Sequence, residues 1–401
     1  MARLLVFDDG LATLGPLTDL RASFEVRTGA LTNLERIERA AGARAEGLIV
    51  QPSLRELTRE RHKAAVMVSA QGDDVLVVNG RCALPGAEIA RLGPGDALVE
   101  HGTGELIAAR GEAGQCEAAM GDGIAGSGLV MHESPGECLL RKPWDVIRYR
   151  DEALRRDLAI LAVGRWTGAP GVVVIGGNSV SVDAGAKVYP GVVIDAEHGA
   201  VRIEAGAVIR PGAILCGPCW IGPGSTVVER AHIKAGTAIG PVCKVGGEVG
   251  GTIFQGWSNK GHEGHLGDSW VGEWVNLGAG TTNSNLLNTY GEVVSRWAPE
   301  ASNERTGLTF FGAAIGDHCK FAILSRIMTG AVVGTGGMWA ATIPASGATA
   351  RFVWATDAGM KAFRFEKFLE TAQAMMGRRK IAPSEAYVAR LRSLHSTGAP
   401  S

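Results

Sequence analysis

Aromatic residues are scarce in this 401-residue chain, at 6%, and charge of either sign is nearly cancelled, 40 Lys and Arg against 41 Asp and Glu leaving a formal net charge of −1. With no excess of either sign, neither nucleic acid nor a membrane surface is the expected partner, which leaves a small molecule or another copy of the chain. Long apolar runs are missing too. The N-terminal run Leu4–Phe7 ends at two aspartates and is too short for a signal peptide or a membrane span, so the expected location is the cytoplasm. Seven cysteines, an odd number scattered from Cys82 to Cys319, do not make the disulfide framework of a secreted protein, and reduced thiols are expected.

What the chain has in abundance is glycine, 57 residues concentrated after position 164. Apolar anchors recur there every six residues without a break at Ile203, Ile209, Leu215, Ile221, Val227, Ile233, Ile239 and Val245. The same period runs through Val182, Val188 and Ile194, through Val271 and Leu277, and through Ile315, Phe321, Ile327, Val333 and Trp339. Small residues or Gly/Pro pairs follow most anchors, which suits a short strand ending in a tight turn. A sandwich would space its strands by roughly 8–12 residues. A hexapeptide period instead signals a parallel β-helix whose anchors stack inward, about six or seven coils of it at three hexads per coil.

Residues 1–148 read differently. LLVFDD, GLIVQ, AAVMV and DVLVVNG are short apolar strands separated by helical text, an α/β pattern. Thr32-Asn33-Leu34-Glu35 has the form of a capping box, with Gly42 as a stop. Residues 149–164 read as a linker helix with Leu154, Leu158 and Leu161 on one face, 165–350 as the β-helix, and 351–401 as a helical extension containing AGMKAFRFEKFLETAQAMMGRRK and PSEAYVARLRSLH.

Two motifs invite chemistry. Cys216-Gly217-Pro218-Cys219 has the wording of a dithiol centre but lies between two anchors, without the helix N-terminus that lowers a thiol pKa. No second Cys or His pair accompanies it to hold structural zinc. His262-Glu263-Gly264-His265 lacks the spacing that puts two imidazoles on one helix face, so whether a metal binds there stays open beside an idle loop histidine and a catalytic base. The stretch Gly246–Gly264 interrupts the hexads and reads as an insertion, the usual place for function in a solenoid.

At this point the sequence resembles a known family, the bifunctional bacterial enzymes that make UDP-N-acetylglucosamine, whose acetyltransferase half is a trimeric left-handed β-helix. There Ser-Lys-Ala-Gly-His precedes Leu-Gly-Asp, then Val-Asn-Ile-Gly-Ala-Gly-Thr and a later asparagine. Here Ser258-Asn259-Lys260-Gly261-His262 precedes Leu266-Gly267-Asp268, then Val275-Asn276-Leu277-Gly278-Ala279-Gly280-Thr281, with Asn285 beyond. The resemblance implies a left-handed winding and acetyl-CoA as co-substrate. It makes His262 the base that deprotonates a sugar amine, with Asn276, Asn285, His265 and Lys260 on the substrate side and Gly278, Ala279 and Ser325 on the coenzyme side. His265 and Leu286 stand where the family has tyrosines and Gly250 where it has a sugar-binding lysine, departures that bear on the acceptor more than on the chemistry. A homotrimer is expected on the same ground, and Trp257, Trp270 and Trp274 are expected to bury themselves against neighbouring subunits.

The N-terminal half resembles the sugar-phosphate nucleotidyltransferases in part. Phe7-Asp8-Asp9-Gly10 stands in place of the family's Gly-rich phosphate loop, and Arg21, Arg27 and Asn79 are the candidates for nucleotide contacts. The family holds Mg2+ on an aspartate after an Asn-Gly strand end, whereas Asn79-Gly80 is followed here by Arg81. The expected function is acetyl-CoA-dependent N-acetyl transfer to an amino-sugar phosphate, joined to a nucleotidyltransferase-like domain that takes a nucleoside triphosphate or sugar nucleotide. A non-catalytic trimeric scaffold that binds a sugar nucleotide, and a nucleotidyltransferase alone, are the alternatives.

Overall fold

In a computed structural model, which describes residues 2–121, 123–161 and 164–400, the six-residue period becomes three ladders of short parallel strands. The first ladder begins at Val173–Ile175, the second at Val180–Val182 and the third at Lys187–Val188. Their registers carry each anchor onto the one a coil below: Ile203 onto Ile221 onto Ile239, Ile209 onto Val227 onto Val245, Leu215 onto Ile233 onto Val249. The eight anchors from Ile203 to Val245 are fully buried. Enclosing a Val, Leu or Ile side chain is worth about 1.5–3 kcal/mol each, so the inward stack is the main source of stability of this unit. It forms one continuous apolar cluster with the later anchors through Trp339.

The segment 246–264 is not an excursion from the helix. It is a coil of its own, with strands Glu248–Gly250, Ile253–Gly256 and Asn259–Lys260 in register with the coil before. Val249 follows Val245 by four residues and Phe254 follows Val249 by five, because two corners are shortened. Gly247 and Gly251 make those corners at φ +70° and +55°, a conformation with little penalty for glycine. With this coil the second ladder has eight strands. The real excursion lies at 284–312, between strands Thr282–Asn283 and Ala313–Ile315, and contains the antiparallel pair Val294–Ser295 and Glu304–Arg305.

Trp270 and Trp274 are buried within the chain, contrary to the expectation that they await a neighbouring subunit. Trp274 lies between Trp257, with ring centroids 5.0 Å apart, and His318, at 6.4 Å. His318 Nε2 in turn lies 2.8 Å from the hydroxyl of Tyr387 on the helix Glu385–Gly398. That helix and Phe365–Gly377 are the expected C-terminal pair. The text before Phe365 is not helical. Gly359–Ala362 is a strand antiparallel to Val353–Thr356, the two closing the third ladder.

The chain divides into two compact units, one made of Leu20–Val26, Leu31–Arg141 and the residues up to Leu14, the other of Gly15–Asp19, Arg27–Ala30 and the rest from Lys142 on. The first unit holds a seven-stranded sheet of β1 (Arg3–Phe7), β2 (Gly47–Ile49), β3 (Ala65–Met67), β4 (Val75–Asn79), β5 (Asp96–Val99), β6 (Leu106–Gly111) and β7 (Val130–Glu133). Its order is β3-β2-β1-β4-β6-β5-β7, with β6 antiparallel to both its neighbours. The helix Asn33–Ala41 starts on the expected capping box, Thr32 and Glu35 exchanging side-chain to backbone hydrogen bonds, and stops at Gly42 with φ +67°. The expected linker helix, in the second unit, begins earlier, at Asp145, and is described to Leu161; its last expected turn, Ala162 and Val163, lies outside the described residues. Among the described residues no helix is long and apolar enough to cross a membrane.

Candidate active site

Coils turn from the third ladder to the first through a corner in which the second residue after the anchor is mostly exposed, Gly247 being buried. Pro190 and Pro211 hold that place in early coils, and His262, Ala279 and Ile323 hold it in three successive later ones. His262 is exposed on the bend between strands Asn259–Lys260 and His265–Gly267. Neighbouring strands are about 4.8 Å apart, so Ala279 lies one such step from His262 along the axis. The bend is tied directly to the next corner, because the Gly280 amide donates to the Glu263 carbonyl at 3.0 Å. Gly264 makes the close approach possible: a Cβ there would meet the Thr281 carbonyl oxygen at 2.1 Å. One coil further on, Leu324 N donates to the Ala279 carbonyl at 2.7 Å and Ser325 Oγ to that of Ala322 at 2.8 Å. The expected base His262 and the coenzyme candidate Ala279 thus occupy successive corners of one column, with Gly278 and Ser325 beside it.

A second group surrounds Gly267, where a Cβ would lie 2.7 Å from both Asn285 Nδ2 and His265 Nε2. Asn285 Nδ2 donates to Asp268 Oδ2 at 2.7 Å, and Arg150 Nη1 donates to Asp268 Oδ1 at 2.6 Å. His265 Nδ1 lies 3.3 Å from Glu248, which also pairs with Lys234. Asn276 is on the third ladder, its Oδ1 accepting from Asn259 Nδ2 at 2.8 Å. Arg150, Glu248 and Lys234 were not among the sequence candidates, and a helix arginine 118 residues from its partner carries no local signal.

Three candidates are placed otherwise than expected. Lys260 occupies an inward anchor position, in register with Val245, and is 1% exposed. Its ammonium donates to the carbonyls of Gly246 and His262, both at 2.9 Å, and burial lowers its pKa to about 8. It therefore faces backbone, not substrate. Arg21, in the first unit, is 1% exposed, and Arg27, in the second, lays its guanidinium over Trp220 at 4.8 Å from the ring centre while its Nη1 donates to the Ala30 carbonyl. Both are enclosed, which removes the phosphate contacts expected of them. The dithiol motif is not joined: Cys216 points to His232, Sγ to Nε2 3.7 Å, while Cys219 is buried.

The first unit has a cleft of about 240 Å³ at the ends of β1 and β4, lined by Asp9, Asn79, Arg81, Glu105 and the helix Ala113–Gly121. Asn79 Nδ2 donates to the Leu106 carbonyl at 3.1 Å and its Oδ1 accepts from the Arg81 amide at 2.9 Å. Beneath the cleft, burial pushes Asp8 up to about 6, against hydrogen bonds from Ser23 and the Gly10 amide that favour its charged form.

Residues 4–166 match the family described as sugar nucleotidyl transferase. Among curated proteins, the bifunctional protein GlmU of Rippkaea orientalis is 28% identical over 110 residues, 27% of this chain and 23% of that protein. GlmU of Nitratidesulfovibrio vulgaris strain DP4 is 26% identical over 242 residues, 54% of this chain and 48% of that one. The chain therefore spans between about a quarter and a half of the length of these relatives. Among solved structures, the Francisella novicida UDP-N-acetylglucosamine acyltransferase shares 10% identity at a TM-score of 0.31, over 57% of this chain and 91% of that one, too distant a likeness to carry an argument. By its sequence, the chain is similar over part of its length to the bifunctional GlmU proteins, and its residues 4–166 match the sugar nucleotidyl transferase family.

Proposed function

We propose that the second unit transfers an acetyl group from acetyl-CoA to the amine of an amino-sugar phosphate, with His262 as the general base. The observation that carries the reading is the corner column, in which exposed His262 stands one coil from the glycine turn Gly278–Gly280 and is fastened to it through Glu263 and Gly280. Neutral imidazole accepts a proton at neutral pH without a large pKa shift, which suits removal of a proton from the attacking amine. As that nitrogen adds to the thioester carbonyl, the oxygen gains charge and needs a donor already in place. The Ala279 amide has no hydrogen-bond partner among the described residues and occupies the position that earlier coils give to Pro190 and Pro211, which have no amide to satisfy. It is the donor we assign to the oxyanion. Collapse of the intermediate expels coenzyme A as thiol, and His262 passes on its proton.

Asn285 and His265, side by side over Gly267, are assigned to the sugar, and Asn276 and Ser325 to the flanks of the column. The site is proposed to be completed in a homotrimer. Ile323 and Leu324, 70% and 74% exposed, extend the column as an apolar edge suited to a neighbouring subunit. The test is release of free thiol from acetyl-CoA with a panel of amino-sugar phosphates. His262→Ala should slow it by about 10²–10⁴ while coenzyme binding and assembly stay unchanged. Wild-type turnover in that variant would make His262 an ordinary corner residue, and no turnover by the parent protein with any acceptor would favour a scaffold.

A further inference from the structure

The nucleotidyl transfer expected of the first unit relies on a divalent cation to compensate the charge of a triphosphate. Around the cleft the oxygen donors for such an ion are present in kind but already engaged. Asp9 Oδ2 accepts from Arg81 Nε at 2.8 Å and lies 2.7 Å from its Nη2. Glu105 Oε2 accepts from the same Nη2 at 2.6 Å, and its Oε1 from Arg141 Nε at 2.6 Å. Arg81 Nη1 is fixed on the Leu140 carbonyl at 2.9 Å, and the side chain is 5% exposed. Asn79 spends its oxygen on the Arg81 amide. Among the described residues no group of three His, Cys, Asp or Glu side chains has the placement to hold a metal.

A small hard cation such as Mg2+ requires near-octahedral oxygen at about 2.0–2.1 Å. To reach Asp9 and Glu105 it would have to displace a buried guanidinium held by three partners, and would meet like charge while doing so. A bare triphosphate fares no better. Asp9 and Glu105 at the cleft and Glu100 behind it set three carboxylates against the two guanidinium groups of Arg81 and Arg141, whose donors those acids already occupy.

We infer that Arg81 is a built-in substitute for the divalent cation, so that the first unit holds its acidic cleft together without metal and does not transfer nucleotidyl groups. The guanidinium places a positive charge between two carboxylates, as a cation would, but it offers no exchangeable coordination sites and so no means of activating a triphosphate. This inference does not depend on the acetyl-transfer reading of the second unit.

The test is titration of the full-length protein with Mn2+, followed by the loss of the free-ion electron paramagnetic resonance signal. The wild type should take up no Mn2+ up to about 1 mM, the weak end of protein sites for hard divalent ions. Arg81→Ala, which frees Asp9 and the Oε2 of Glu105, should bind at least about tenfold more tightly than that limit, and Asp9→Asn added to it should abolish the gain. Stoichiometric binding by the wild type that is lost in Asp9→Asn would overturn the inference, as would Mg2+-dependent release of pyrophosphate from a nucleoside triphosphate and a sugar 1-phosphate. A folded Arg81→Ala that still binds no Mn2+ would also count against a substituted cation site. Should Arg81→Ala fail to fold, the wild-type titration alone still decides.

Discussion

The ammonium nitrogen of Lys260 lies 2.9 Å from the carbonyl oxygen of His262, so the backbone of the proposed base is fastened by a buried amine two residues before it. Burial favours the neutral amine, so the folded protein releases this proton near pH 8, whereas an ordinary lysine keeps it to about 10.5. Unfolding therefore takes up a proton between those values, and stability rises as pH increases through the window. Lys320, lowered to about 8 in the same way, adds to the rise. Urea unfolding at a series of pH values should show a shallower rise in Lys260→Met than in the parent, by about 3 kcal/mol across the whole window. Equal slopes would mean that Lys260 is neutral or solvated throughout.

Asp8 gives the opposite sign. Its carboxyl titrates near 6 in the fold against 3.8 in a free chain, so the native state binds the proton more tightly and stability falls as pH rises from about 4 to 6. Asp8→Asn keeps an oxygen for the Gly10 amide and the Ser23 hydroxyl and removes the buried charge. Thermal or urea unfolding at pH 7 should show a gain of about 2–3 kcal/mol, and the pH dependence in that window should shrink.

Gly264 has φ +123° and faces the Thr281 carbonyl without a Cβ to spare. Gly264→Ala combines a backbone strain of about 1–3 kcal/mol with a clash that must move the bend. Lower stability, together with a fall in the kcat for thiol release and little change in KM, is expected. A variant as stable and active as the parent would show that the bend can be displaced without consequence.

Asp268→Asn separates two contacts. Arg150 loses a charged partner, a loss of about 2 kcal/mol in unfolding experiments. Asn285 loses the acceptor that orients its amide, so the KM for the sugar acceptor should rise while that for acetyl-CoA holds. A uniform fall in kcat alone would place Asn285 away from the sugar.

The solenoid was legible because its inward position repeats: Ile203, Ile221 and Ile239 face the same axis, and one residue class at one spacing records that. The coil at 246–264 was misread because register in a β-helix belongs to strands, not to corners. Shortening the turns at Gly247 and Gly251 breaks the count in the text and leaves the ladder intact. The motif from Ser258 to Asn285 located the corner column, since a corner is local. The placement of Arg150, the enclosure of Arg21 and Arg27, and the burial of Trp270, whose indole donates to the Arg27 carbonyl at 3.3 Å, depend on residues more than a hundred positions away or on packing, and neither leaves a period to read.

A stack held together rung by rung is only as cooperative as its weakest contact between neighbours. Lys260 stands on the third ladder in register with Val245, so that one of the three apolar columns is interrupted at this coil by an amine whose partners are backbone carbonyls. The consequence is a seam. Hydrogen exchange in the native state should divide the solenoid there into two blocks of protection, an earlier one ending at Val245 and a later one beginning at Leu266, with amides of the coil between them opening at lower free energy than those on either side. The proposed base lies on that seam, where the solenoid can adjust its local geometry without loosening either half.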